Sequence, residues 1–505
     1  MENLAIIYIG GNTTRFALWQ INEDKSYRLL QSYKETLKLG HAVREDSMIS
    51  EDKVQELMTI LSNYNDFANS LKVDITSVIF SEFFNKIENK EEIRNRIHSE
   101  LGLDATELTS EEEVNLDFLA IEQSMRVDNN LIVDISGGST QIAWVKDGNL
   151  FKTASLPMGT LTLTSRFHLE EMVTKDIHIE LEAYLAEEIA KIGWLKEAYF
   201  NDMIIVGGSA RAISKIDRIK RRYPMSIIHE YNMQDLDMHN MYMLFMTKSL
   251  KQRYAIEGLD KNRADIILSA LAIFSSLLKS TGIQNLRVSG AGIREGFLFK
   301  HLMDKYGKMD DMLDRSISNI LSIHSVDKTH AESLYKLTTS IYNALYPLHK
   351  AWDNLDKIIK VSSMLHDIGL SVRYYNHDRH NFYMISNSEL NGLSHREIIM
   401  SSLAATFTDG LTKERAILQF GQIINRMDQS MINDIGICIS MADRLLKSES
   451  KAVSLKEYHI EENTVKLIFR SKDPLHFELH EAKKLSSIFE DMYGKSLEIE
   501  IDFLQ

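Results

Sequence analysis

YIGGNTTRFAL, residues 8–18, and DISGGSTQIAW, residues 134–144, are one short pattern written twice without a gap. Ile9, Gly11, Thr14 and Ala17 recur as Ile135, Gly137, Thr140 and Ala143, and Tyr8 aligns with Asp134. In each copy an apolar run enters a turn of glycine and small hydroxyl residues and a second apolar run leaves it, the pattern of a β-hairpin. Its tip is almost bare of side chain, so backbone N–H groups there can approach an anion. One glycine-rich hairpin is an ordinary turn. Two equivalent ones, each opening about half of the first three hundred residues, predict two related domains facing each other across a cleft.

Outward from the hairpins, short β-rich runs (LAIIYI, VIF, LIVDI, MIIVGG, LRVSG) alternate with helical stretches up to about residue 300, which predicts an α/β architecture. The expected domains are residues 1–125 and 126–300. Residues 301–450 read as almost wholly helical, and 451–505 as a small α+β tail. In the tail, strands are expected in KAVSLKEYHI, TVKLIFR and LEIEIDFL, with a helix in HEAKKLSSIFEDMYG. Paired hairpins that grip phosphates are the arrangement of actin-like, sugar kinase and Hsp70-type folds. Two further glycine turns, VGGSARAI from Val206 and VSGAGIREG from Val288, each lead from strand to helix. Such a turn gathers amide donors and a positive dipole end at one point.

Composition narrows the function. A chain of 505 residues is too long for one core. No apolar run reaches the roughly 20 residues that span a bilayer, and MENLAIIYIGG reads as a first strand rather than a signal peptide, so no membrane role is expected. Cys438 is the only cysteine, which excludes an intramolecular disulfide and suits a reducing cytoplasm. The formal net charge of −14 argues against broad nucleic-acid binding. A polyanionic ligand would have to be captured locally, by glycine loops, helix N-termini, a few arginines and metal ions.

The two hairpins, TSEEEVNL from Thr109, LPMGT from Leu156, GGSARA from Gly207 and SGAGIREG from Ser289, in this order, resemble the exopolyphosphatase and guanosine pentaphosphate phosphohydrolase family. The resemblance implies a Mg²⁺-dependent cleft between two actin-like domains that hydrolyses terminal phosphates. It places the general base at Glu113, beside Glu112. It implies Asp134 as a metal ligand, with Gly11, Asn12, Thr13, Gly137, Gly138, Ser139, Gly208, Ser209 and Arg294 binding phosphate, and Gly290 in the last loop. The sequence departs from the family pattern at Tyr8 (usually Asp), Gln141 (usually Glu), Asn115 (usually Arg) and Phe84, which stands where an Arg is usual in FSEFF. Fewer carboxylates weaken Mg²⁺ binding, and a lost Arg removes a bidentate phosphate clamp.

In the helical half, MLHDIGLSV holds His366 and Asp367, while His330 and Asp443 lie in amphipathic stretches on either side. His, His-Asp and a late Asp resemble the HD phosphohydrolase superfamily, whose four residues bind a divalent metal; imidazoles and carboxylates suit Mn²⁺, Zn²⁺ or Fe²⁺. His377, His380 and His395 lie between.

The leading expectation is release of terminal phosphate from inorganic polyphosphate, with guanosine penta- or tetraphosphate as the other ligand class. One alternative moves the chemistry to the HD residues. Another is a non-catalytic sensor that binds polyphosphate or nucleotides. The helical region offers surfaces for a homodimer.

Overall fold

The computed structural model describes residues 1–43, 46–349, 355–408, 410–448 and 453–503. It divides into two compact units, Met1–Met312 and Leu313–Gln505. The expected boundary between residues 450 and 451 and the last residue of LEIEIDFL lie outside the described residues.

Met1–Met312 holds two sheets. The first contains β1 (Glu2–Ile9), β2 (Thr13–Ile21), β3 (Tyr27–Thr36), β4 (Ile75–Phe80) and β5 (Ala105–Glu107), in the order β3-β2-β1-β4-β5. The second contains β6 (Asn130–Ile135), β7 (Thr140–Lys146), β8 (Asn149–Leu156), β9 (Asp202–Val206), β10 (Tyr231–Gln234) and β11 (Asn285–Val288), in the order β10-β11-β9-β6-β7-β8. Read from β8, this second order repeats the first, with β10 added at the far edge. The duplication at the hairpins therefore extends to whole sheets. Each hairpin is antiparallel and each leads to a parallel partner, β1 to β4 and β6 to β9. Cross-strand partners also correspond, with Tyr8 opposite Arg15 and Asp134 opposite Gln141.

The β1 sequence is apolar at nearly every position because both its faces are covered. Ala5, Ile7 and Ile9 pack with Leu57 and Leu61 of helix Glu51–Ser70, whereas Leu4 and Ile6 pack with Leu298, Phe299 and Leu302 of helix Ile293–Tyr306. The domain boundary expected at residue 300 thus falls inside a helix that covers the first sheet, and the unit ends instead at Met312. Gly296 permits this packing, since a Cβ there would collide with the Leu116 carbonyl. Leu116 sits on helix Ser110–Glu122, which joins the two halves. Leu116 belongs to the first-sheet core, while Val114 and Ile121 pack against Ile132, Ala143 and Ile204 of the second sheet.

Leu313–Gln505 begins as helices, among them Lys328–Ala344, Asp356–Met364, His395–Ala405 and Arg426–Leu445, which pack on one another. It ends in a sheet of β12 (Ser454–Ile460), β13 (Thr464–Ser471) and β14 (Ser496–Phe503). The single helix expected in HEAKKLSSIFEDMYG is two, His476–Lys483 and Ser486–Tyr493, because a turn there buries Leu485 completely. Among the described residues no helix is long and apolar enough to cross a membrane.

Candidate active site

Both hairpin tips and both strand-to-helix turns of Met1–Met312 converge on one cleft of about 910 Å³, counted to its open mouth. Gly10 to Thr13 come from the first tip and Ser136 to Gly138 from the second. Gly207, Gly208 and Ser209 open helix Gly207–Lys220, and Gly292 to Arg294 open helix Ile293–Tyr306. Gly207 has φ 88, and a Cβ there would strike the Asp134 carboxylate, so the turn needs glycine twice over.

Glu113 and Asp134 line the cleft with Gly11, Asn12, Thr13, Gly137, Gly138, Gly208, Ser209 and Arg294. Ser139, expected to bind phosphate, is not among the residues lining the cleft: it is buried, its hydroxyl donates to Glu82 Oε2 at 3.0 Å, and its amide donates to Ser136 Oγ. Gly290 also lies outside, because its N–H donates to His229 Nδ1 and its carbonyl accepts from Arg211. Gln141 is turned away from the cleft, its amide donating to Ser110 Oγ and Ser139 Oγ. Asn115 is exposed, and Phe84 is buried in a stack on Phe80, leaving Phe83 to face the cleft.

Glu113 stands one turn into helix Ser110–Glu122, which Thr109 starts with a capping box to Glu112. Its Oε1 accepts from the Tyr8 hydroxyl at 3.0 Å and from the Glu82 N–H at 2.8 Å. Burial pushes this carboxyl up to about 7, against the pull of those two hydrogen bonds and with the help of nearby Asp134. Burial also raises Asp134, which Arg211 and Arg15 partly offset, and it holds the Tyr8 phenol well above its usual range.

The cationic lining is denser than the motifs indicated. Arg15, Arg211, Arg263 and Arg294 all face the cleft. Burial lowers the guanidinium of Arg211, and it pushes Arg263 down to about 10 with added repulsion from Arg211. Arg15 is lowered well below its usual value by burial and then by Arg211 and Arg294. Crowded, partly desolvated cations of this kind favour a multiply charged anion.

In Leu313–Gln505, His366, Asp367 and Asp443 offer ligand atoms within 4.8 Å of one another, a group able to hold a metal ion. His330 Nε2 lies 3.3 Å from Asp367 Oδ2. His366 Nδ1 lies 2.9 Å from the Ala405 carbonyl, which fixes the proton there and leaves Nε2 as a lone-pair donor. Burial alone would raise Asp367, but His330 and His366 hold it well below the usual carboxylate range. His377, His380 and His395 are not members of this group.

The chain matches the Ppx/GppA phosphatase family over residues 20–305, and Ppx/GppA phosphatase domain III over residues 313–483. It belongs to the Ppx/GppA phosphatase family. A guanosine-5'-triphosphate,3'-diphosphate pyrophosphatase of Photobacterium profundum is 20% identical over 81% of each chain. A Ppx/GppA family member of Aquifex aeolicus superposes with a TM-score of 0.54 and 24% identity, over 61% of this chain and 99% of that one. An exopolyphosphatase of Cytophaga hutchinsonii superposes with a TM-score of 0.57 and 20% identity, over 60% and 98%. These likenesses establish the actin-like Ppx/GppA fold, with α/β sheets and a helical C-terminal portion.

Several cleft residues of this Ppx/GppA protein escaped the sequence reading. Asp117 was signalled only by standing four residues after Glu113, hence on the same helix face. Arg15 and Arg211 lie within quoted motifs. Arg263 lies in no motif and is brought in by a turn before helix Ile267–Thr281.

Proposed function

We propose that the cleft hydrolyses the terminal phosphoanhydride bond of inorganic polyphosphate or guanosine pentaphosphate. A water oxygen bonds to the terminal phosphorus, the bridging P–O bond breaks, and the water's proton passes to Glu113. Inorganic phosphate and a ligand one phosphate shorter are the products. The observation that carries this reading is the placement of Glu113. It is a buried carboxylate poised near 7, both of whose hydrogen bonds fall on Oε1, so Oε2 is left for the water, in a cleft lined by arginines and glycine amides. The names of the relatives, a guanosine-5'-triphosphate,3'-diphosphate pyrophosphatase and an exopolyphosphatase, support the same class of bond.

The glycine tips and helix starts hold the phosphate oxygens through N–H groups, and Arg294, beside Ser32 and Glu295, is positioned at the rim. The residues present fit Mg²⁺, since Asp134 brings a carboxylate to the amides that would hold phosphate. When bound, Mg²⁺ supplies positive charge to the phosphate oxygens. The test is phosphate release from polyphosphate, guanosine pentaphosphate and simple nucleotides by the wild type and Glu113→Gln. Unchanged metal-dependent release by Glu113→Gln would remove the cleft from the chemistry. Tight ligand binding without release by the wild type would favour a sensor.

A second reading is favoured by the His366, Asp367 and Asp443 group, with His330 against Asp367. It is an HD-type site for Mn²⁺, Zn²⁺ or Fe²⁺ acting on a phosphate ester. Metal analysis of the purified protein and of His366→Ala/Asp367→Ala tests it, and absence of a stoichiometric transition metal counts against it.

A further inference from the structure

We propose that Asp117 and Asp134 together form the divalent-cation site of the cleft, with Asp117 supplying from a helix the carboxylate that the first hairpin lacks. The inference rests on the reading of the cleft as a phosphate site and deepens it. The duplicated hairpins should offer equivalent groups, yet Asp134 has Tyr8 as its counterpart, and the Tyr8 hydroxyl is committed to Glu113. A phenol in that place donates to the base and leaves the cleft one carboxylate short. Asp117 stands one helical turn beyond Glu113, on the same face of helix Ser110–Glu122, and lines the cleft.

Asp117 is 3% exposed, and neither of its carboxylate oxygens has a hydrogen-bond partner among the described residues. A buried carboxylate without a partner is costly, so such a group calls for a ligand. Its charged neighbours deepen the need: Asp134, Glu113 and Glu295 repel it, and Arg211 attracts it. Its Oδ1 faces Gly292, at the turn that starts helix Ile293–Tyr306. Mg²⁺ and Mn²⁺ accept one or two protein carboxylates together with waters and phosphate oxygens, which is what Asp117, Asp134 and the glycine loops provide.

The test is an electron-paramagnetic-resonance titration of the full chain with Mn²⁺, in a His366→Ala background so that the rear cluster does not contribute. Thermal unfolding is followed with and without the ion. Asp117→Asn is expected to weaken Mn²⁺ binding at least about tenfold, the lower end for disturbing a metal site. It is also expected to shrink the rise in Tm that Mn²⁺ gives. Asp117→Ser carries the same expectation for Mn²⁺ if the Asn variant does not fold. Wild-type Mn²⁺ affinity in these variants, an undiminished Mn²⁺-induced rise in Tm for Asp117→Asn, or no Mn²⁺ binding by the parent would each overturn the proposal. Phosphate release is scored separately. A wild type without turnover sinks the hydrolase reading while the titration still judges Asp117, and turnover with unaltered Mn²⁺ binding in Asp117→Asn sinks Asp117 alone.

Discussion

Tyr8 and Asp134 are each the penultimate residue of the first strand of a hairpin, and across the ladder stand Arg15 and Gln141. The backbones correspond and the chemistry does not. The first hairpin brings a cation and a phenol to the cleft. The second brings a carboxylate, while its cross-strand glutamine is buried against Ser110 and Ser139. The sheet repeats because its register and its two-sided core demand it, whereas residues at the tip answer only to the ligand. Duplication therefore kept the backbone of the two lips and let their side chains diverge, one bringing Tyr8 to Glu113 and the other bringing Asp134 to the cleft.

The strongest way to break this comparison is to remove the base that the first lip positions. Glu113→Gln keeps the shape and both hydrogen-bond donors nearby but cannot take a proton, so kcat should fall by about 10²–10⁴, the usual worth of general base catalysis. KM should change little. Stopped-flow or steady-state phosphate release checks this, and a loss confined to KM would mean that Glu113 only binds.

Asp134→Asn attacks the second lip. It should raise the Mg²⁺ concentration for half-maximal rate by about 10- to 100-fold, with the fully loaded rate partly restored. A Mg²⁺ titration of the rate reads it, and an unchanged Mg²⁺ requirement would deny Asp134 its role. Arg263→Ala tests the cations between the lips. A hydrogen bond to a charged group is worth about 1.5–3 kcal/mol, so KM for the polyphosphate should rise about 10- to 100-fold. Because Arg263 is crowded by Arg211 and held down at about 10, its loss should leave the ligand-free fold as stable or more so.

Legibility in the sequence followed the same division. Hairpins, glycine turns and the all-helical stretch were readable because strand alternation, bare turns and helix caps are local. Glu113 and Asp134 were readable because they sit inside ordered motifs. Asp117 and Arg263 were not, since their importance lies in which elements a helix face and a turn are packed against. Ser139 and Gly290 lie in the right motifs but outside the cleft lining, where Glu82 accepts the Ser139 hydroxyl and His229 accepts the Gly290 N–H. The expected boundary at 300 falls inside helix Ile293–Tyr306, which follows the second sheet in sequence and covers the first in space, so local pattern could not mark the unit's end at Met312.

The finest test of the first lip is Tyr8→Phe, which removes one hydroxyl. That hydroxyl stabilises ionised Glu113, pulling its pKa down against burial. Its loss should move the acidic limb of the rate profile, expected near pH 7 in the wild type, upward by about one pH unit or less, a single hydrogen bond being worth about 1 kcal/mol. At pH well above that limb the variant should approach wild-type kcat, because the base is ionised in both. Stability carries the matching sign. Glu113 is raised from 4.5 to about 7 on folding, so its contribution is intact below about 4.5 and is lost as pH rises through about 7. Replacing it by Gln should therefore stabilise the fold at pH 8 relative to pH 5, by at most about 3 kcal/mol. Tyr8→Phe should make that loss slightly larger by leaving the ionised carboxylate with one donor fewer. A rate profile that does not move in Tyr8→Phe would mean that the phenol serves only packing, and the two lips would then differ in a single carboxylate.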